Sequence, residues 1–219
     1  LTEKFVESDN MAAQTGTVEV TVNLASISEA KVTVSGGPFT YDGKPKTPTV
    51  TVELNGKPLS GGTDYKLSYE NSNGGADNLT NAGMVTVTAT GKGNYTGTKT
   101  ATFTIAQSAT EFDGGVTVDK KDKTYTYGDT ITVTVTPKAT GEAPANNALA
   151  LAAPTAGQMA IYEGDRQLTE AKDVTSGSEL TFTIDTAEVN LGRGKHTLTA
   201  KFVESDNMAA QTGTVEVTV

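Results

Sequence analysis

Residues 191–219 read LGRGKHTLTAKFVESDNMAAQTGTVEVTV, and this stretch decides the fold class. Successive side chains of a β-strand point to opposite faces, so a period-two alternation indicates a strand with one buried face. The inward positions are His196, Leu198, Ala200 and Phe202 in the first run and Val215, Val217 and Val219 in the second. We therefore predict two strands joined by a polar turn.

The same stretch occurs a second time at the start of the chain. Residues 4–22 and 201–219 are identical, KFVESDNMAAQTGTVEVTV, and the three preceding residues differ only in Glu3 against Ala200. Identity over such a length indicates a recently duplicated array.

The two copies lie 197 residues apart, from Lys4 to Lys201. This period is too long for a solenoid unit, so each repeat should contain whole domains. We interpret residues 23–219 as one repeat and residues 1–22 as the C-terminal hairpin of the preceding repeat.

The alternation recurs along the rest of the chain. The further runs are Val50–Leu54, Tyr65–Tyr69, Val85–Ala89, Ala101–Ile105, Ile131–Val135 and Leu180–Ile184. Thr fills many outward positions, as is typical of half-buried strands. Asn55-Gly56 follows the first of these runs and is typical of a type I′ hairpin turn. Strands separated by Gly, Asn, Asp and Pro favour antiparallel sandwiches over βαβ units.

The predicted fold class is all-β, with two Ig-like antiparallel β-sandwich domains in tandem. The polar stretch Ala106–Gly115 predicts a linker that divides the repeat into 23–107 and 108–219, and Asn23–Glu29 predicts a shorter linker to the previous copy. Two segments break the strand pattern. The Ala-rich Gly141–Gly157 predicts a short helix or an extra strand at the sandwich edge, and Asp185–Leu191 predicts a helical turn that crosses between the sheets.

Composition excludes several functional classes. The net charge of −9 argues against nucleic acid and anionic membrane surfaces as partners. No apolar run approaches the ~20 residues of a transmembrane helix, so we expect no membrane insertion in this segment. The absence of Cys excludes disulfides and thiolate chemistry, and the single His excludes a His-pair metal site. We therefore predict no catalytic, cofactor-binding or metal-binding residue, no cofactor and no enzyme activity.

The sequence offers four candidate sites. The glycine-rich run Gly91–Gly97 is followed by a Thr-rich strand rather than a helix, which favours a turn over a phosphate loop. His196 lies in phase with its strand, so we interpret it as a strand residue near the sheet end. The turn Glu204–Asn207 lacks the ligand spacing of a calcium loop. An internal Lys–Asn or Thr–Gln cross-link needs the two reacting residues and an acid buried together. Lys201 and Glu216 fall on outward positions, so they do not fit such a site.

Clusters of charged and of aromatic residues are further candidate sites. Asp119, Asp122 and Asp129 alternate with lysines, which indicates a solvated, charge-balanced edge. Four tyrosines are candidates for a sugar-stacking platform, namely Tyr41, Tyr125, Tyr127 and Tyr162. We expect them to cover the core instead, as aromatic residues at strand ends commonly do.

Two sequence families resemble this chain. YGDTITVTVTP, IYEGDRQL and LGRGKHTLTAKFVESDNMAAQTGTVEVTV make residues 127–219 similar to group-3 bacterial Ig-like domains. FTYDGKPKTPTVTV, TDYKLSYEN and NAGMVTVTATGKGNYTGTKTATFTI make residues 32–105 resemble MBG or YDG-type Ig-like repeats. The resemblance implies a tandem-repeat protein of the bacterial surface or a secreted one, and it brings no catalytic residues.

The function that the sequence favours is a structural spacer or stalk repeat of an adhesin-like protein. Its partners are then the neighbouring repeats of the same chain. The alternatives are a glycan- or host-protein-binding module and an accessory repeat of a modular surface enzyme. The inward valines of residues 1–22 also predict strand exchange with a second molecule, or packing on the chain's own first domain.

Overall fold

A computed structural model describes residues 1–143 and 157–219 of the chain. Within these ranges the chain is all-β and holds no helix. The strands in chain order are β1 Thr2–Phe5, β2 Gln14–Thr17, β3 Ala25–Ser26, β4 Lys31–Ser35, β5 Phe39–Thr40, β6 Thr49–Leu54, β7 Lys57–Pro58, β8 Tyr65–Asn71, β9 Gly75–Ala76, β10 Gly83–Gly91, β11 Tyr95–Thr96, β12 Thr98–Ala106, β13 Thr110–Val118, β14 Thr130–Ala139, β15 Gln158–Glu163, β16 Arg166–Gln167, β17 Lys172–Asp173, β18 Leu180–Asp185, β19 Lys195–Phe202 and β20 Gln211–Thr218.

The strands between residues 25 and 106, called here the N-terminal half, form three sheets. Their orders are β5-β12-β10-β8-β9, β4-β6-β7 and β11-β3. Pairing is antiparallel except between β5 and β12 and between β3 and β11. One buried apolar cluster of this half consists of Ile27, Ala30, Val52, Tyr65 and Ala89, and Val85, Val87 and Ile105 are also buried.

The strands between residues 110 and 218, called the C-terminal half, form two sheets. One has the order β13-β14-β18, and the other has β16-β15-β19-β20 with β17 also paired to β15. The named strands of this half pair antiparallel. The apolar faces of the two sheets share one core, whose largest fully buried side chains are Phe182, Ile131, Met159, Ile161, Ile184, Leu191 and Leu198.

The predicted alternation is confirmed where the sequence is most regular. Val52, Val85, Val133 and Phe182 are buried, as their phase requires. Asn55 has φ 51° and its following glycine has φ 76°, the left-handed pair that a type I′ turn between β6 and β7 needs. The segment after β18 is a hydrogen-bonded turn that leads from one sheet of the C-terminal half to the other.

Both predicted linkers are wrong in extent. The connection between the halves is only Gln107–Ala109, because β13 begins at Thr110 and absorbs two glycines in a bulge. A bulge accommodates an extra residue without ending a strand, so the glycines do not mark a loop here. In the segment predicted to link the copies, Ile27 is fully buried in the N-terminal core. The Ala-rich insertion lies largely outside the described residues. The division into domains at 107/108 stays a prediction.

Residues 1–22 form a separate two-stranded sheet, called here the N-terminal hairpin. Its register is Thr2 opposite Thr17 through Phe5 opposite Gln14. The second copy pairs in the same register, from Thr199 to Phe202. All residues of the N-terminal hairpin are exposed, so it rests on neither half of the chain.

Candidate functional site: the junction between the halves

The three-residue connection Gln107–Ala109 is hydrogen-bonded along its length. The Ser108 backbone N–H donates to Asn207 O over 2.9 Å, and the Ala209 N–H donates back to Ser108 O over 2.9 Å. Ser108 is itself fully buried. The connection therefore lies like a short strand beside the turn that joins β19 to β20.

Side chains reinforce this pairing at both ends. The Gln107 amide donates to Ser205 O over 2.7 Å, and the Thr110 hydroxyl donates to Ala209 O over 2.6 Å. The Gln211 amide in turn donates to the Thr110 carbonyl over 2.9 Å. Bonds on both sides of Ser108 remove the rotational freedom that a free linker would keep.

The same turn also reaches the N-terminal half. Asn207 Oδ1 accepts a 2.8 Å hydrogen bond from the backbone N–H of Ala82, and its Nδ2 lies 3.5 Å from Asn81 Oδ1. Ala82 is only 2% exposed. The Asn207 side chain thus binds a residue that lies 125 positions earlier in the sequence.

An asparagine-rich loop between β8 and β10 holds Ala82, the donor of this bridge, in place. Asn71, which is 2% exposed, donates to Asn81 O over 2.9 Å, and Asn73 donates to Ala82 O over 3.0 Å. Asn78 Oδ1 accepts from the N–H of Asn81 over 2.9 Å. Because these amides satisfy one another, the loop presents Ala82 in one conformation.

Tyr41 supplies an apolar contact at the junction. Its backbone N–H donates to Ala106 O over 2.9 Å at the end of β12, and its side chain packs against the core of the C-terminal half. The nearby Asp42 carboxylate forms an ion pair with Lys46, whose hydrogen bond lowers the pKa of Asp42. The junction thus combines backbone pairing, a side-chain bridge and an apolar contact.

The calcium candidate Glu204–Asn207 therefore has a structural role in the described chain. Burial raises the pKa of Asp206. Among residues 1–143 and 157–219, no three His, Asp or Glu side chains are placed to hold a metal ion. Sequence reasoning weighed this turn only as a metal loop and missed Asn207 as a bridging residue. The only signal in the sequence was an Asn in a polar turn that both copies share.

His196 lies at the start of β19, in phase as predicted, and forms a cluster that the sequence did not reveal. Its Nδ1 lies 2.6 Å from Glu163 Oε1 and its Nε2 lies 2.7 Å from Gly192 O. Arg166 donates to the other Glu163 oxygen over 2.9 Å and to Val189 O over 2.7 Å. The His196 hydrogen bond lowers the pKa of Glu163. The cluster ties β15, β19 and the turn after β18 together.

The four tyrosines do not form a shared platform. Tyr125 is 4% exposed, whereas Tyr127 is 53% exposed, so the two differ in burial. Tyr162, in β15, donates to Gln167 over 3.0 Å. The expectation that they cover the core is confirmed for Tyr125 and Tyr41 and is wrong for Tyr127.

The acidic and basic residues around Tyr125 satisfy one another. The Tyr125 hydroxyl donates to Asp119 Oδ1 over 2.8 Å, and burial together with this carboxylate raises the pKa of Tyr125 to about 12. Lys120 donates to Asp129 over 2.7 Å, which lowers the pKa of Asp129. The interpretation of this segment as a charge-balanced edge is confirmed.

The remaining candidates also take structural roles. The run from Gly91 to Gly97 turns the chain from β10 through β11 into β12, as predicted for an inter-strand turn. Glu216 is exposed, and the Lys201 ammonium donates to Gly164 O over 2.9 Å, so neither lies in a buried cross-linking trio. The described residues contain no helix long and apolar enough to cross a bilayer.

No protein-family model matches the chain, and no curated protein matches it in sequence. Similar solved structures include the Yersinia pseudotuberculosis adhesin InvE (16% identity, TM-score 0.45, covering 87% of this chain and 59% of InvE). Domains 4 and 5 of the S-layer protein SbsC are 20% identical with TM-score 0.31, covering 89% of this chain and 99% of that one. The three N-terminal domains of the bacteriophage RB49 capsid protein Hoc are 15% identical with TM-score 0.30, covering 86% and 69%. The chain thus spans 59% of the length of InvE.

Proposed function

We propose that this chain is a spacer, a stalk segment of an extracellular, adhesin-like bacterial protein that holds another domain away from the cell surface. The observation that carries the proposal is the junction. The end-to-end distance of a spacer grows in proportion to the number of its units only when consecutive units keep the same direction. With flexible linkers the distance grows more slowly than the number of units. Here the connecting residues are paired with the turn at residues 204–209 instead of being free.

The contacts act on both sides of the connection. Asn207 bonds to the connecting segment through its backbone and to Ala82 through its side chain. A rotation of one half against the other would break these bonds and expose Ser108, which is fully buried. Leaving buried polar groups without partners costs ~1–3 kcal/mol each, so the joint resists bending.

The repeat extends the same device along an array. Residues 7–10 repeat the turn at 204–207, and the N-terminal hairpin pairs in the register of β19 and β20. In a tandem array the turn of each repeat would hold that repeat's own two halves together, as Asn207 and Ala82 do here. We propose that the partners of the segment are the adjacent repeats of the same polypeptide.

A distance measurement between the halves tests the proposal. The chain has no Cys, so cysteines introduced at the exposed Thr51 and Thr181 carry spin labels at two known places only. We expect a narrow distance distribution by pulsed electron resonance and a broader one in the Asn207→Ala variant, which loses the bond to Ala82.

The duplication supplies a matched control. Asn10 has the same sequence neighbours as Asn207 but is exposed in the N-terminal hairpin, so Asn10→Ala should leave the distribution unchanged. A distribution that is already broad in the unmodified chain contradicts a spacer. So does a distribution that Asn207→Ala leaves as narrow as before.

A further inference from the structure

The N-terminal hairpin exposes the side chains that its second copy buries. Met11 is 58% exposed and its counterpart Met208 is 3% exposed. Val20 is 62% exposed against 2% for Val217. The same register and nearly the same sequence therefore appear once without an apolar partner and once seated in a sandwich.

The structure shows which strands and side chains residues 198–219 contact. Residues 198–219 pair with β15 along one edge and pack their apolar side chains into the core of the C-terminal half. Residues 110–143 and 157–197, called here the acceptor, supply the rest of that core. Any segment with the sequence and register of 198–219 has a complementary surface on an acceptor.

The single difference between the copies, Glu3 against Ala200, falls where the second copy has no room for a larger side chain. Ala200 is fully buried, opposite Gly213 in β20. A Cβ on Gly213 would already lie 2.7 Å from the ring of Phe112, so no space remains around this pair. Glu3 would bring a carboxylate to the position of Ala200, where it would be both oversized and desolvated.

We propose that the N-terminal hairpin is a latent docking segment for the acceptor of a second copy of this chain, and that Glu3 keeps it from taking the place of residues 198–219. Each copy carries one acceptor and two hairpins. Exchange between copies leaves the number of unseated hairpins unchanged, so it gains no apolar burial. The residue at position 3 or 200 then decides which hairpin is seated, and Glu3 favours the chain's own 198–219.

The decisive experiment exchanges the two residues in the full chain, as Glu3→Ala together with Ala200→Glu. The N-terminal hairpin is then the better fit, and an acceptor on a second copy is its target. We expect the mass measured by light scattering to rise with protein concentration from one chain to two or more. The unmodified chain should remain a single copy under the same conditions.

Methionine oxidation identifies the seated hairpin directly. Peroxide converts exposed Met to the sulfoxide, and tryptic peptides 5–31 and 202–219 report Met11 and Met208 separately because their lengths differ. In the unmodified chain Met208 should react about tenfold more slowly than Met11, as expected for a buried side chain. In the exchanged variant this order should reverse.

Two further substitutions separate docking from general destabilisation. Val20→Asp, added to the exchanged pair, places a charge where Val217 is 2% exposed and should abolish both the mass increase and the protection of Met11. Thr21→Asp places the same charge beside it, where the counterpart Thr218 is exposed, and should abolish neither.

Three outcomes contradict the proposal. The first is an exchanged variant that stays one chain at every concentration, whether Met11 becomes protected or not. The second is an exchanged variant that is unfolded and is not rescued by a chain carrying Glu3→Ala alone. The third is a mass increase that survives Val20→Asp.

Discussion

The His196 Nδ1 atom lies 2.6 Å from Glu163 Oε1. This contact joins the beginning of β19 to the last residue of β15. His196 also faces the carbonyl of Gly192 at 2.7 Å, and Glu163 also accepts from Arg166. The His196 side chain is 15% exposed, so this contact is partly shielded from solvent. It is a structural contact whose strength depends on the charge of the carboxylate.

Acid should weaken the chain through Glu163. The hydrogen bond from His196, and after it the one from Arg166, hold the pKa of Glu163 below its ordinary 4.5. A carboxyl with a lowered folded-state pKa stabilises the fold fully above its unfolded-state pKa, and this contribution is lost as the pH falls through the folded-state value. We expect the urea midpoint of the unmodified chain to fall with pH below about 4.5, and Glu163→Gln to flatten that fall.

The control for this prediction is Glu204→Gln, which removes a carboxylate that is exposed and lies in a turn. Its acid dependence should match that of the unmodified chain. Equal acid dependence of Glu163→Gln and the unmodified chain would show that the His196 contact contributes no pH-dependent stability.

Phe202→Ala should be far more damaging than Phe5→Ala. The two residues have the same sequence neighbours, but Phe202 is 2% exposed inside the sandwich and Phe5 is 44% exposed in the N-terminal hairpin. Truncating a buried Phe costs ~3–5 kcal/mol, whereas an exposed substitution usually stays within ~0.5 kcal/mol. Urea unfolding of the two variants measures the difference. Glu216→Ala, at an exposed position of β20, should behave like Phe5→Ala, and equal losses for all three would mean that the burial of β19 is misassigned.

The strand pattern could be predicted from the sequence because alternation reports directly on burial. Val52, Val133 and Phe182 are buried as their phase predicted, and the exposure of Glu216 followed from the same rule. A side chain's face depends only on its parity within a strand, which is local information. The antiparallel, all-β architecture follows from the same pattern.

The junction could not be predicted from the sequence in the same way. The bond between Ala82 and Asn207 joins residues 125 positions apart, and no local pattern encodes that distance. Turn residues such as Asn207 are compatible with a metal loop, a plain turn or a bridge, and only the three-dimensional neighbours decide among them. The two glycines in β13 led to a wrong linker prediction for a related reason, since a bulge and a loop have the same local composition.

The buried Asn71 should contribute more to stability than its polarity suggests. It is 2% exposed, donates to Asn81 O and accepts from the Asn73 N–H, both over 2.9 Å. Asn71→Ala leaves both partner groups without their bond, which costs ~1–3 kcal/mol. Urea unfolding should show this loss, while Asn94→Ala at an exposed turn position should show almost none. A loss confined to Asn94→Ala would contradict the role given to the loop.

Folding should need no metal or cofactor. The chain has no Cys and one His, and that His is engaged by Glu163 and Gly192. Chains that depend on a structural metal lose most of their stability on chelation. We expect the melting temperature to be the same with and without a chelator such as EDTA. A drop of more than about 5 °C, roughly a loss of 1 kcal/mol for a domain of this kind, would reverse this prediction.

The two copies of one glycine give the last prediction. A Cβ on Gly213 would lie 2.7 Å from Phe112 Cδ2 and 2.9 Å from Val116 Cγ2, whereas a Cβ on Gly16 would meet nothing within 4 Å. Gly213 therefore allows β13 to approach β20 closely, and Gly213→Ala forces the aromatic ring away. Overpacking of this kind costs ~1–3 kcal/mol, while Gly16→Ala should stay within ~0.5 kcal/mol because its surroundings are open. Urea unfolding of the full chain measures the stability of both variants. Adding the smaller side chain of Phe112→Leu to Gly213→Ala should restore part of the lost stability, because it makes room for the added methyl group. If Gly213→Ala and Gly16→Ala unfold at the same urea concentration, the close approach of β13 and β20 does not limit this position.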